Sequence, residues 1–101
     1  MIEITEINDE AFQFCLKTEN NQILLTSVKV NSVEKIEKMI DELNKSGGNR
    51  LRFERKTNHK GKFFFNIKNK GGQLLATSEC YSSEAGMENG IKNLKFRLAT
   101  L

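Results

Sequence analysis

The sequence predicts an α+β fold: strand-strand-strand-helix, the same run again, then a last strand, forming one mostly antiparallel sheet with both helices on one face. Three observations carry this expectation. The chain matches itself when shifted by 51 residues; the early part of each copy alternates with a period of two; the later part changes to a period of about 3.6. Over residues 12–43 against 63–94, 11 of 32 positions are identical without a gap, where unrelated segments of average composition would share about two. The chain therefore reads as a single domain over 1–101, with repeat one at 1–50 and repeat two at 51–101. One such unit has a poor core by itself, and two sharing a sheet supply each other's.

Each element has its own reason. Met1–Glu6 and Leu51–Lys56 alternate apolar and polar residues, as strands do. In the next strand Phe12, Phe14 and Leu16 share one face, with Phe63, Phe65 and Ile67 as their counterparts. The polar turns Thr18-Glu19-Asn20-Asn21 and Asn69-Lys70-Gly71-Gly72 end in residues able to take a positive φ. Third strands are expected from Gln22 to about Val28 and from Gln73 to about Cys80. Val33, Ile36, Ile40 and Leu43 then form a helical stripe, with Asn31 and Glu34 resembling a capping box and Ser46-Gly47-Gly48-Asn49 ending the helix. The second helix runs from about Ser83, capped by Ser82 or Ser83, to Leu94. It carries Gly86 and Gly90 on one face, each costing about 1 kcal/mol relative to Ala, which points to close approach of that helix to the sheet. Lys95–Leu101 alternates again and reads as the final strand.

Composition narrows the function classes. With 38% hydrophobic and 29% charged residues, the chain fits a globular protein. No run approaches the roughly 20 apolar residues of a membrane span, and Met1–Glu6 is acidic and alternating, unlike a leader peptide. The expectation is a cytoplasmic protein with no membrane contact. Cys15 and Cys80 read as small, half-buried strand residues; together with the lone His59 they do not make a metal site. No cofactor is expected. Charge is uneven: residues 1–50 carry −3 and residues 51–101 carry +6.

Three classes of chemistry can be weighed. The basic run Arg50, Arg52, Arg55, Lys56, Lys60 and Lys62, with Phe53 and His59 among its members, is what a single-strand nucleic-acid binder uses: cations for phosphates and an aromatic for stacking. Alternatively these are solvated strand and turn residues, paired with Glu3, Glu6, Asp9 and Glu10 of the matching segment. A hydrolase would draw on Thr77, Ser78, Tyr81, Ser82, Ser83 and His59, but there is no nucleophile elbow and no base-orienting pattern, so no catalytic residue is assigned. Glu79 and Tyr81 fall at the strand-to-helix corner, where a Tyr packs its ring and bonds its hydroxyl to nearby backbone. The third class is an interaction protein working through the open sheet face or an edge strand. On that face Gln13, Lys17, Asn66 and Lys68 are polar, Cys15 and Phe64 are apolar exceptions, and Phe64 is the candidate partner contact.

The stretch Gly72-Gln73-Leu74-Leu75-Ala76-Thr77-Ser78-Glu79-Cys80-Tyr81-Ser82-Ser83-Glu84-Ala85-Gly86-Met87-Glu88-Asn89-Gly90-Ile91 resembles the signature of the YegP-like family. With Gly61–Phe65, the resemblance covers most of residues 51–94. The first copy departs from it, carrying Val28, Val30, Lys35 and Met39 where the second has Glu79, Tyr81, Gly86 and Gly90. The resemblance implies two units in one sheet with terminal strands exchanged, Asn49–Arg55 bridging the halves and Lys95–Leu101 returning to the first. It implies next to nothing about function, since the family's biochemical role is uncharacterised and offers no catalytic or binding residues to carry over. The resulting expectation is a small non-enzymatic binding module with an unnamed protein partner, monomeric, its repeats acting as an intramolecular dimer. Weak nucleic-acid binding through Arg50–Lys62 is the alternative.

Overall fold

In the computed structural model, which describes residues 2–44 and 51–98, eight elements follow in the order β1 (Ile2–Asn8), β2 (Ala11–Lys17), β3 (Ile23–Ser27), α1 (Val33–Asn44), β4 (Arg52–Thr57), β5 (Phe63–Lys68), β6 (Leu74–Ser78) and α2 (Glu84–Leu98). The six strands form one sheet in the order β1-β2-β3-β6-β5-β4, and every neighbouring pair is antiparallel.

Hairpins set the registers. Thr18, Asn58 and Asn69 each donate a backbone N–H to the carbonyl four residues on, at 2.9, 2.9 and 3.0 Å. Each loop closes through a residue at positive φ: Asn21 (65°), Gly61 (77°) and Gly72 (83°). Those are the residue types that enter the left-handed region at least cost.

The halves meet at the β3–β6 seam, where Thr26 lies opposite Thr77, Leu25 opposite Ser78 and Ser27 opposite Ala76. Thr26 and Thr77 are themselves 51 residues apart, so the seam is symmetric about their pair. Beyond it, Val28 N–H bonds the Leu75 carbonyl at 3.0 Å and Glu79 N–H bonds the Leu24 carbonyl at 3.4 Å. The exchanged terminal strands expected above are not found among the described residues. β1 pairs with β2 and β4 with β5, each inside its own half. Lys95–Leu98 continue α2 rather than forming a strand, because Leu98 extends the Met87, Ile91, Leu94 stripe and is fully buried there. The proposed helix stop at 46–49, the bridge at Asn49 and the chain end at 99–101 lie outside the described residues.

One apolar cluster unites both helices with one sheet face. Phe14, Leu16 and Leu25 from the first half and Phe65, Ile67 and Ala76 from the second meet Ile36, Met39 and Leu43 of α1 and the stripe of α2. Each large side chain so buried contributes about 1.5–3 kcal/mol. The stripe of α1 centres on Ile36, Met39 and Leu43, which rotates Ile40 to its flank and leaves Val33 exposed, contrary to its expected core position. Caps also differ: Ser32 Oγ, not Asn31, accepts the Lys35 N–H at 3.2 Å, as Ser83 Oγ accepts the Gly86 N–H at 3.0 Å.

Two buried serines hold the sheet where the ladder breaks off. Ser27 Oγ accepts the Phe14 N–H at 2.8 Å and donates to the Val28 carbonyl at 2.9 Å. Ser78 Oγ does the same with Phe65 N–H and the Glu79 carbonyl, at 2.9 and 2.8 Å. Ser78, weighed above as a hydrolase residue, instead uses its hydroxyl to stand in for a missing ladder carbonyl. Past each serine the chain swings out and re-pairs once, Val30 with Phe12 and Tyr81 with Phe63.

Candidate functional site

The basic run expected to touch nucleic acid is divided by the fold. Arg52 and Lys56 lie on the open sheet face, Arg55 on the helix-bearing face, and Lys60 and Lys62 at the β4–β5 hairpin, with His59 exposed beside them. Arg50 lies outside the described residues. Glu3 and Glu6 of β1, and Asp9 and Glu10 after it, are at the opposite edge of the sheet, so among the described residues the pairing expected with them does not occur. Lys56 pairs instead with Glu54 at 3.0 Å, which also takes Lys68 at 2.8 Å. Arg55 Nε is bonded to both carboxylate oxygens of Glu88 on α2. These contacts hold the Glu54 and Glu88 carboxyls below the usual carboxylate range, Glu54 first through Lys68 and Glu88 through Arg55. Phe53 is not presented for stacking: its ring packs 5.8 Å from that of Phe65, and the Lys95 ammonium covers it at 4.9 Å. Phe64 is half-buried on the open face, opposite Lys56. Cys15 is buried on β2, but Cys80 is exposed in the β6–α2 connection and not in a strand. Among the described residues no cluster of His, Cys, Asp or Glu could hold a metal ion.

A different place brings polar side chains together. A cleft of about 260 Å³ opens between the β2–β3 hairpin of the first half and the strand-to-helix corner of the second. Thr18 and Gln22 border it on one side; Asn89, Asn93 and Arg97, on one face of α2, border it on the other. Glu79 and Tyr81 also line it, and Leu24, Phe65 and Leu94 are its apolar members. The Gln22, Asn89 and Asn93 side chains make no hydrogen bond among the described residues, whereas Asn58, Asn66 and Asn69 are all tied into the fold.

Tyr81 explains Gly90, whereas a Cβ at Gly86 would meet the Tyr81 ring only at an ordinary 3.8 Å and has Ser83 Oγ, at 3.1 Å, as its tight neighbour. The Tyr81 ring stacks on Phe65 at 6.4 Å and 14°, and its edge comes so near α2 that a Cβ at Gly90 would lie 2.6 Å from Cζ. The close approach is thus to a side chain rather than to the sheet backbone. The hydroxyl lies against Gly90 of α2, and not in the expected bond to nearby backbone. Burial first, then the Glu79 charge and hydrogen bond, raise the Tyr81 pKa above its ordinary value of 10.0.

A profile for a domain of unknown function, DUF1508, matches residues 58–97, which include every cleft residue of the second half. The chain is 33% identical over 93 residues to the UPF0339 protein YegP of Escherichia coli K12, spanning 92% of this chain and 84% of that one. It is 35% identical over 98 residues to a UPF0339 protein of Mannheimia succiniciproducens, at 97% and 87% coverage. The chain belongs to the UPF0339 (YegP) family. Its fold agrees: the solution structure of E. coli YegP, itself a protein of unknown function, superposes with a TM-score of 0.85 at 32% identity over 97% of this chain and 84% of that chain. A UPF0339 protein of Shewanella oneidensis gives 0.83 at 28% identity, covering 93% and 80%. No specific function is attached to these relatives.

Within this UPF0339 chain the two halves differ most at the cleft. Val30 and Met39 occupy the positions of Tyr81 and Gly90, and the Met39 side chain is buried in the core. Lys38 and Glu42 occupy those of Asn89 and Asn93. The reading from sequence reached Glu79, Tyr81 and the glycines, but missed Thr18, Gln22, Asn89, Asn93 and Arg97. The signal available for the asparagines was their four-residue spacing beside Gly86 and Gly90, which puts all four on one side of α2.

Proposed function

We propose that this UPF0339 protein is a small non-enzymatic binding module, a cytoplasmic monomer, whose binding surface is the cleft between the β2–β3 hairpin and α2. One observation carries the reading: unfilled carboxamides from both halves, Gln22, Asn89 and Asn93, converge on a concave site backed by apolar Leu24, Phe65 and Leu94. Such a lining supplies donors and acceptors in fixed positions but no nucleophile beside a base. His59 is not among the lining residues. Among the described residues no helix is long and apolar enough to cross a membrane.

The test is a titration of the 15N-labelled chain, followed by amide shifts, with separate panels of short peptides, monosaccharides and mononucleotides. Saturable shifts confined to residues 18–24, 79–81 and 86–97 support the cleft. Shifts confined to the open sheet face or the β4 edge refute it. The alternative, weak nucleic-acid contact, is favoured by Arg52, Lys60 and Lys62, three exposed cations without an ion-pair partner among the described residues. It requires fluorescence-anisotropy binding to single-stranded DNA or RNA that falls steeply with salt and is lost on charge reversal at Arg52, Lys60 and Lys62.

A further inference from the structure

We propose that the ligand of this cleft is an extended peptide segment, lying along α2 and held through its main chain by Asn89 and Asn93. The inference rests on the cleft being the binding surface and adds the chemistry of what it takes.

The argument starts from spacing. Residues four apart on an α-helix are displaced by about 6 Å along its axis and lie on one side of it. Residues two apart on an extended chain are displaced by about 6.7 Å and present the same edge of their peptide groups. A carboxamide offers a donor and an acceptor side by side, which is the complement of one peptide N–H and C=O. Asn89 and Asn93 on the cleft side of α2 therefore match alternate residues of an extended chain running parallel to the helix axis. Gln22, from the facing hairpin, offers a third carboxamide to the other edge. Leu24 and Leu94 provide apolar floor for an inward-facing side chain.

The test uses the full chain and a pool of random hexapeptides, acetylated and amidated at their ends, from which the tightest sequence is taken forward with a fluorescein label. Main-chain recognition predicts a parity effect. N-methylation at one set of alternate residues weakens binding about tenfold per site, the loss of one main-chain hydrogen bond, and methylation at the other set leaves it within about twofold. Asn89→Leu and Asn93→Leu, both at exposed positions that leave the core untouched, each weaken the same peptide about tenfold. Equal losses at both parities, or none, overturn the inference. If a monosaccharide or a mononucleotide saturates the cleft resonances and the peptide pool does not, the cleft stands and the peptide falls. If the pool moves only resonances outside the cleft, both fall.

Discussion

Gly90→Ala tests the packing that builds the cleft. In an exposed helix this change stabilises by about 1 kcal/mol, because alanine loses less backbone freedom. Here the new methyl would stand 2.6 Å from Tyr81 Cζ and 3.0 Å from Cε1, where carbon atoms pack at about 3.5–4.0 Å. The ring cannot retreat, since it is stacked on Phe65, which is itself buried. Overpacking costs about 1–3 kcal/mol, and contacts this short put it in the upper part of that range, about 2–3, so the helix gain is overrun and a net loss of about 1–2 kcal/mol is expected. For a domain of this size that lowers Tm by about 5–15 °C. The assay is thermal unfolding by circular dichroism, run in parallel on Tyr81→Val, which copies the residue the first half has at the matching position. In that background the obstacle is gone and Gly90→Ala is expected to raise Tm, giving a coupling of about 2–3 kcal/mol between the two sites. A rise in Tm in the native background, or an equal loss in both, would refute the assignment of Gly90 to Tyr81.

Further outcomes follow from other parts of the fold. Ser78→Ala leaves the Phe65 N–H buried without an acceptor and is expected to cost about 1–3 kcal/mol by urea unfolding, with Ser27→Ala matching it. Leu98→Ala is expected to cost about 2–5 kcal/mol whereas Phe96→Ala, at a side chain 75% exposed, changes stability by less than about 0.5; the reverse ranking would mean that 95–98 is not helical. Tyr81 is the sole tyrosine, so absorbance at 295 nm reads its phenolate alone. Its midpoint is expected above 10.0 and lower in Glu79→Gln, and because the folded pKa is the raised one, its contribution to stability is full below 10.0 and lost as pH climbs through the folded value. Glu54 and Glu88 have the opposite sign: their contribution is present above the ordinary 4.5 and lost as pH falls through the depressed folded values. Arg55→Gln and Lys68→Gln should therefore flatten stability between about pH 5 and 2, and an unchanged acid limb would count against these pairs.

Much of the fold was legible because the offset of 51 residues lets each half check the other. Asn21 against Gly72 and Phe14 against Phe65 identify a turn and a core position twice over, while the first cap, expected at Asn31, falls on Ser32, the counterpart of Ser83. The end of α2 was misread where no second copy could correct it. Four residues with Phe96 and Leu98 two apart satisfy a strand's period, and Leu94 with Leu98 four apart satisfy a helix's, so the segment alone does not decide. Burial of Leu98 does, and the same misreading hid the exposure of Phe96. The exchanged strands came from resemblance alone, and the registers of β1 with β2 and β4 with β5 replace them. The cleft was only half legible. Its second-half residues fall within a short motif, but Thr18 and Gln22 reach it solely because β3 pairs with β6, a contact that neither hydropathy nor spacing specifies.

The symmetric seam at Thr26 and Thr77 also has a consequence for valence. Two identical units associating about such an axis would display every groove twice and take two equivalents of ligand. Joined in one chain, the halves are free to differ, and here they do: the second has Tyr81 over Gly90 with Asn89 and Asn93 alongside, the first has Val30 with a buried Met39, Lys38 and Glu42. The molecule keeps a dimer's sheet and core with one copy of the proposed site. A titration should accordingly saturate at one ligand per chain with a Hill coefficient of one, the first half lending Thr18, Gln22 and Leu24 to a cleft that only the second completes.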